Sequence, residues 1–284
     1  MFPQLIQARE LQRPIDDFVE GIVNQYADTL RALTQPLLDL LVWVDQTLRD
    51  APWWLVVGLI VAIAWTGSRK FGFSLLMGAL LFLVGAIGLW DAAMQTLALM
   101  LVAVLFSVAI GIPVGILMAS VKWVRAGMLP ILDVMQTMPS FVYLIPVVML
   151  FNLGKLAALF ATVIYAVPPV IRLTDLGIRL VDREVLEASR AFGASRARQL
   201  FGVQLPLALP NIMAGINQTT MMALAMVVIA SMIGMGGLGY EVLQGVNRLQ
   251  LGRGLLAGVG IVILAIIFDR ITQQFGKRQM RRRA

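Results

Sequence analysis

Long apolar stretches with few charged residues alternate with short polar stretches over most of this chain. A helix needs about 20 mostly apolar residues to cross a bilayer core, and somewhat fewer when flanking side chains reach the interface. Seven stretches meet this requirement, namely residues 51–67, 72–89, 92–119, 128–151, 156–171, 212–233 and 254–271. The pattern predicts an all-α integral membrane protein with about seven transmembrane helices, of which the first and last are the shortest.

The first fifty residues have a different pattern, with four arginines against eight acidic residues. Residues 36–50 place five apolar side chains on one helical face and three aspartates off it. The apolar face holds Leu37, Leu40, Leu41, Val44 and Leu48, and the aspartates are Asp39, Asp45 and Asp50. We therefore predict an amphipathic helix at the membrane interface, within an acidic external tail. A partly disordered tail is an equal alternative for residues 1–20.

The distribution of basic residues predicts the orientation of the chain. With the N-terminus outside, 16 of the 23 Lys and Arg residues lie on the cytoplasmic side. The positive-inside rule therefore favours an external N-terminus and a cytoplasmic C-terminus. The basic tail, residues 273–284, is then interpreted as a topology anchor near anionic lipid rather than as a nucleic-acid site.

Composition excludes several classes of enzyme. The sequence is 59% hydrophobic and 14% charged, and it contains no His and no Cys. It therefore has no His or Cys zinc site, no thiol nucleophile and no Ser-His-Asp triad. The phosphate-binding string G-x-x-x-x-G-K-[ST] is also absent, so we expect that the chain does not hydrolyse ATP itself.

A long polar segment, residues 172–206, follows the fifth predicted span on the cytoplasmic side. Its pattern predicts two short amphipathic helices around a bend at Gly193, the second ended by Pro206. Loops of this length usually have a function, so we interpret the segment as a docking surface for a partner. The alternative is a hairpin that merely joins two spans.

This segment resembles the EAA loop of bacterial ABC importer permeases. The resemblance rests on Glu187-Ala188-Ser189, Gly193, and the string Val203-Gln204-Leu205-Pro206. The family form has Ala in place of Ser189 and Ile in place of Val203, and both differences are small. Residues 91–272 resemble in particular the permease subunits of glycine betaine, proline betaine and choline importers, through residues 136–146, 165–179 and 206–242.

The resemblance implies a type I ABC importer permease fold with a cytoplasmic EAA coupling helix. Residues 91–272 would form the permease core, after two additional transmembrane helices in residues 51–90. The expected partners are a second permease copy, two ATPase subunits and an external substrate-binding protein in a bacterial inner membrane. ATP and Mg²⁺ would bind to the ATPase, and no cofactor to this chain. The residues implied in coupling are Glu187, Ala188, Ser189, Gly193, Leu205 and Pro206.

A glycine-rich run follows the sixth predicted span. Gly234, Gly236 and Gly239 satisfy G-x-G-x-x-G, but no strand precedes them as a dinucleotide site would require. The run resembles the glycine-rich outer loop of the permease family. We therefore expect Gly234, Gly236, Gly237 and Gly239 to form an external gate loop.

Few polar residues lie within the predicted spans, and these are candidates for the translocation path. The candidates are Gln136, Thr137, Asn217 and Thr220, with Phe141 and Tyr143 offering aromatic faces to a quaternary ammonium. Contacts between helices are the alternative for each polar residue. Asp133 is expected to pair with Arg125, and three prolines at 130, 139 and 146 are expected to kink or break the fourth span.

The sequence thus predicts a permease that imports a quaternary ammonium compound, driven by a separate ATPase. A permease for another small polar solute remains open, as does a secondary transporter, although the latter typically needs buried acidic or His residues. A membrane enzyme is disfavoured because there are no paired carboxylates in the spans.

Overall fold

The computed structural model describes residues 8–281, and these form helices and turns with no strand among them. Two 3₁₀ turns, Ser140–Tyr143 and Ser231–Ile233, and one π turn, Leu200–Gln204, adjoin the α-helices. The α-helices are α1 (Ala8–Asp50), α2 (Trp53–Ser68), α3 (Phe71–Ala86), α4 (Trp90–Ser120), α5 (Lys122–Thr137), α6 (Leu144–Phe151), α7 (Lys155–Arg179), α8 (Arg183–Ala191), α9 (Arg196–Gln199), α10 (Leu205–Ala230), α11 (Leu238–Asn247) and α12 (Leu251–Arg281).

The all-helical architecture is confirmed, but seven spans are not. Four helical segments in residues 8–281 are long and apolar enough to cross a bilayer, or up to six if two bent pairs each count as one span. The four are Trp90–Ser120, Lys155–Arg179, Arg196–Ile233 and Leu251–Gly276. Helix α3 has only 16 residues, which is short for the roughly 20 that a span requires.

The fourth predicted span is one of the two bent pairs. Helices α5 and α6 meet at an angle of 112°. The residue before a proline is forced out of the helical region, and Met138 before Pro139 is extended, with φ −65° and ψ 135°. Pro130 and Pro146 lie inside helices instead. The expected break in this span is therefore confirmed at Pro139.

Helix α1 is longer than the predicted amphipathic segment, and it bends by 107° into α2. It packs against α4 and α6, and Arg31 Nε donates to the Leu150 carbonyl at 2.9 Å. Asp45, predicted to lie off the buried face, is only 2% exposed. The prediction for Asp45 was wrong because Lys155 Nζ lies 2.6 Å from Asp45 Oδ2, so the carboxylate is buried with a cationic partner.

Helix α7 is the centre of the fold and packs along its length between α4 and α10. Glycines allow this close approach. A Cβ on Gly115 of α4 would lie 2.7 Å from the Ile171 carbonyl, and a Cβ on Gly177 would lie 2.7 Å from Asn211 Cβ on α10. These glycines were not predicted as packing positions, although Gly111 and Gly115 form a G-x-x-x-G string on α4.

Charged residues join α5 to α7 in pairs that differ from the prediction. Arg125 pairs with Asp175, with Nε and Oδ2 separated by 3.1 Å. Asp133, which was expected to pair with Arg125, pairs with Arg172 instead. The prediction was wrong because α7 extends through Arg179, eight residues beyond the predicted span, and brings Arg172 and Asp175 alongside α5.

Candidate coupling loop and external gate

The candidate coupling loop begins where α7 ends. Three residues separate α7 from α8, and the last of them, Asp182, caps α8 by accepting a hydrogen bond from the Glu184 N–H at 2.9 Å. Helix α8 contains Glu187, Ala188 and Ser189, and none of its residues is buried. The predicted coupling helix therefore projects from the end of the central helix with its surface uncovered.

The bend after α8 depends on Gly193. Its φ is +76°, a left-handed conformation that glycine adopts without the steric cost that other residues incur. The Gly193 N–H donates to the Arg190 carbonyl at 2.8 Å, and the Ala194 N–H donates to the Ser189 carbonyl at 3.1 Å. These two bonds make a Schellman motif that ends α8. The predicted bend at Gly193 is confirmed.

Helices α8 and α9 are joined by Gln199, a residue that was not among the predicted coupling residues. Gln199 is buried, and its Nε2 donates to the Leu186 carbonyl at 2.8 Å. Its Oε1 accepts from Arg190 Nε at 3.4 Å. No local pattern marks this residue, because its partners in α8 lie 9 and 13 residues earlier in the chain. The two short helices consequently form one hydrogen-bonded unit.

Pro206 does not end the second helix, and this prediction was wrong. The chain is helical without interruption from Arg196 to Ile233. A π turn, Leu200–Gln204, precedes Leu205 and Pro206, and the Leu205 N–H bonds to the Leu200 carbonyl five residues earlier. Proline has no N–H to donate, and the wider turn changes the hydrogen-bond register just before it. The loop therefore connects rigidly to α10.

The tip of the loop exposes aromatic side chains. Phe192 is 93% exposed, and Phe201 is 66% exposed. A cleft of about 480 Å³ lies beside Phe201 and is lined by Arg190, Arg196 and Gln204 among others. Apolar groups bordered by charged residues are typical of a protein-protein contact. The geometry favours the docking interpretation over a simple connecting hairpin.

The predicted gate loop is fixed to α4 by hydrogen bonds. Three of its four predicted glycines, at 234, 236 and 237, have φ of +90°, +85° and +82°. The fourth, Gly239, lies in the first turn of α11 rather than in the loop. The Gly237 N–H donates to Gln95 Oε1 at 2.7 Å, and the Leu238 N–H donates to Thr96 Oγ1 at 2.9 Å. A Cβ on Gly237 would lie 2.7 Å from Thr96 Oγ1. Gln95 and Thr96 were missed because their partners lie 142 residues away.

Replacing Thr96 by valine should destabilise the protein by about 1–3 kcal/mol, because the buried Leu238 N–H loses its acceptor. Thr96 is fully buried, so water does not replace the hydroxyl group. Thermal unfolding of the purified protein in nanodiscs would measure the effect as a lower Tm. Thr96→Ser keeps the oxygen atom and is the control. A Thr96→Val protein as stable as Thr96→Ser would contradict the assigned hydrogen bond.

The predicted path residues lie in three parts of the structure, namely the end of α5, the 3₁₀ turn after the bend, and α10. Gln136 and Thr137 are exposed at the end of α5, and Phe141 is exposed just after the bend. Tyr143 is buried, with its ring 5.9 Å from that of Tyr165 and its hydroxyl group donating to the Met135 carbonyl.

The other two predicted path residues lie on α10. Asn217 Nδ2 donates to Asp269 Oδ1 on α12 at 3.0 Å, and buried Thr220 donates to the Ile216 carbonyl at 2.8 Å. Asn217 therefore joins two helices, while Gln136, Thr137 and Phe141 are the more accessible candidates for contact with a solute.

Comparison with known proteins gives consistent matches. Residues 111–281 match the family described as binding-protein-dependent transport system inner membrane component. The glycine betaine/proline betaine transport system permease protein ProW of Escherichia coli (strain K12) is 48% identical over 268 residues, covering 93% of this chain and 75% of ProW. The glycine betaine transport system permease protein OpuAB of Bacillus subtilis (strain 168) is 44% identical, covering 91% of this chain and 92% of OpuAB.

A solved structure shares the fold. The MetNI methionine ABC transporter, in an inward-facing conformation, matches with a TM-score of 0.60 and 23% sequence identity. The match covers 67% of this chain and 95% of the MetNI chain. From the family match and the two relatives, this chain belongs to the binding-protein-dependent transport system inner membrane components, the permease subunits of ABC importers, which carry no ATPase of their own.

Proposed function

We propose that this permease imports quaternary ammonium compounds, with glycine betaine, proline betaine and choline as the leading substrates. The observation that carries the proposal is the 48% identity to ProW over 93% of the chain. ProW is named for glycine betaine and proline betaine, and OpuAB for glycine betaine. The quaternary ammonium group that these compounds share is attracted to aromatic faces, and the accessible ring of Phe141 lies beside the bend in the fourth predicted span.

Membership of the family implies an inner-membrane location, an ATPase partner and a substrate-binding protein. In the proposed complex, two copies of this chain dock onto two ATPase subunits, and the ATPases hold ATP and Mg²⁺. Glu187, Ala188, Ser189 and Gly193 form the contact, followed by Leu205 and Pro206 at the start of α10. The uncovered surface of α8 and the exposed ring of Phe192 support this arrangement.

The proposed orientation has the N-terminus outside and the C-terminus in the cytoplasm. It places the gate loop and the loop before α7 on the same outer side. A Cβ on Gly234 would lie 3.9 Å from the Gly154 nitrogen, so the two loops belong on one side of the membrane, and the excess of Lys and Arg on the opposite side supports the outer position of that side. The proposed core, residues 91–272, follows a tail (1–50) and two additional helices (51–90). The basic tail, residues 273–284, lies partly outside the described residues.

ATP hydrolysis by the assembled importer tests the proposal. The chain would be purified with its ATPase in lipid nanodiscs, and the binding protein added with glycine betaine, choline, a neutral amino acid or no solute. We expect a quaternary ammonium compound to stimulate hydrolysis. Stimulation by the amino acid alone would indicate a permease for another polar solute. Failure of any ATPase to associate would contradict the proposal and favour a secondary transporter.

A further inference from the structure

Two reciprocal ion pairs connect α5 to α7 within the described residues. Each helix supplies one arginine and one aspartate: Arg125 and Asp133 come from α5, and Arg172 and Asp175 from α7. Beside these pairs, Leu132 of α5 lies in an apolar cluster with Val170 and Ile171 of α7. The two helices are thus joined by charge at two points and by apolar packing between them.

The Arg125–Asp175 pair is poorly explained as a source of stability. The Asp175 side chain is only 6% exposed, and its Oδ1 has no hydrogen-bond partner among the described residues. In the second pair, Arg172 Nε is also buried and has no hydrogen-bond partner among the described residues. A buried ion pair often contributes no more than well-packed apolar residues, because both charges lose their hydration. Its value here is to fix the position of one helix against the other.

The location of the pairs shows which parts of the fold they connect. Helix α7 continues from Asp175 to Arg179 and reaches the cap of α8, Asp182, three residues later. Helix α5 ends at Thr137, directly before the 112° bend and beside the accessible residue Gln136. The ion pairs therefore lie on the structural connection between the coupling loop and the bent segment.

We propose that these ion pairs make Arg125, Asp133, Arg172 and Asp175 positioning residues for transport. They hold α5 to α7, so that displacement of α8 by an ATPase also moves the segment at the bend. The inference rests on the proposed function, because it requires the ATPase to act through α8. Without the pairs, the complex would hydrolyse ATP while the bent segment moved less, and fewer solute molecules would cross per ATP.

The ratio of solute uptake to ATP hydrolysed tests this proposal in proteoliposomes that contain the full importer. We expect Arg125→Gln and Asp133→Asn each to lower the ratio by about fivefold or more, at the lower end of couplings measured between distant sites. A purely structural role would lower uptake and hydrolysis together, in proportion to the folded protein. An unchanged ratio in both variants would overturn the proposal.

Reversal of the more exposed pair provides the decisive variant. Asp133 and Arg172 are 65% and 30% exposed, so this pair should tolerate an exchange of charges better than the pair that contains Asp175, which is 6% exposed. Asp133→Arg combined with Arg172→Asp should restore the ratio that Asp133→Asn loses. A reversed variant that folds but does not recover the ratio would also overturn the proposal.

A matched control uses an ion pair elsewhere in the fold. Arg253 of α12 pairs with Glu241 of α11, and its side chain is 34% exposed, as is that of Arg125. Arg253→Gln should leave the ratio unchanged, and a similar fall in this variant would overturn the specific role of the α5–α7 pairs. If the unmodified importer shows no cargo-stimulated hydrolysis, the proposed function fails instead, so the two failures are distinguishable.

Discussion

Replacement of Gly193 by leucine should reduce uptake by about 5- to 30-fold while leaving the amount of protein in the membrane unchanged. A left-handed conformation costs a residue with a side chain about 1–2 kcal/mol, which corresponds to roughly a 5- to 30-fold shift away from the native bend. The Schellman motif would be lost, and α9 would no longer be held at its angle to α8. A Cβ at Gly193 meets no other atom within 4 Å, so the fold itself should tolerate the substitution.

Uptake and ATP hydrolysis measured on the same proteoliposomes would separate coupling from assembly. Leucine at this position should leave hydrolysis by the complex in place but disconnect it from transport. Asparagine also adopts the left-handed conformation, so Gly193→Asn is the matched control and should retain most of the uptake. Wild-type uptake by Gly193→Leu would contradict the role of this bend in coupling.

Replacement of Gly115 by leucine should prevent the protein from folding stably. The new Cβ would lie 2.6 Å from Thr174 Cβ and 2.7 Å from the Ile171 carbonyl oxygen. Overpacking in a core costs about 1–3 kcal/mol when side chains can adjust. Here the obstacle includes the backbone of α7, so α4 would have to move away from the central helix and the cost should exceed that range.

Size-exclusion profiles and Tm values of the purified variants would measure this effect. Gly58 of α2 provides the control, since it is also inside a helix but a Cβ there meets no atom within 4 Å. Gly58→Leu should remain monodisperse with a Tm close to that of the unmodified protein. An equally stable Gly115→Leu protein would show that α4 and α7 do not approach as closely as described.

Local chemistry made several features of this protein predictable. The break at Pro139 follows from the steric restriction that proline places on Met138, and the bend at Gly193 follows from the conformational freedom of glycine. Neither depends on a distant residue. Pro206 was misjudged by the same local argument, because a π turn before it allowed the helix to continue.

The hydrophobic pattern by itself determined that this chain is a helical membrane protein, because the cost of placing polar groups in a bilayer depends on local composition. Only the tertiary structure decided that Asp45 is buried beside Lys155, that Arg125 pairs with Asp175, and that Thr96 accepts a hydrogen bond from the Leu238 N–H. Each of these contacts depends on the rotation and offset of one helix against another. Spacing along a single helix does not specify those quantities, because they are set by packing between helices.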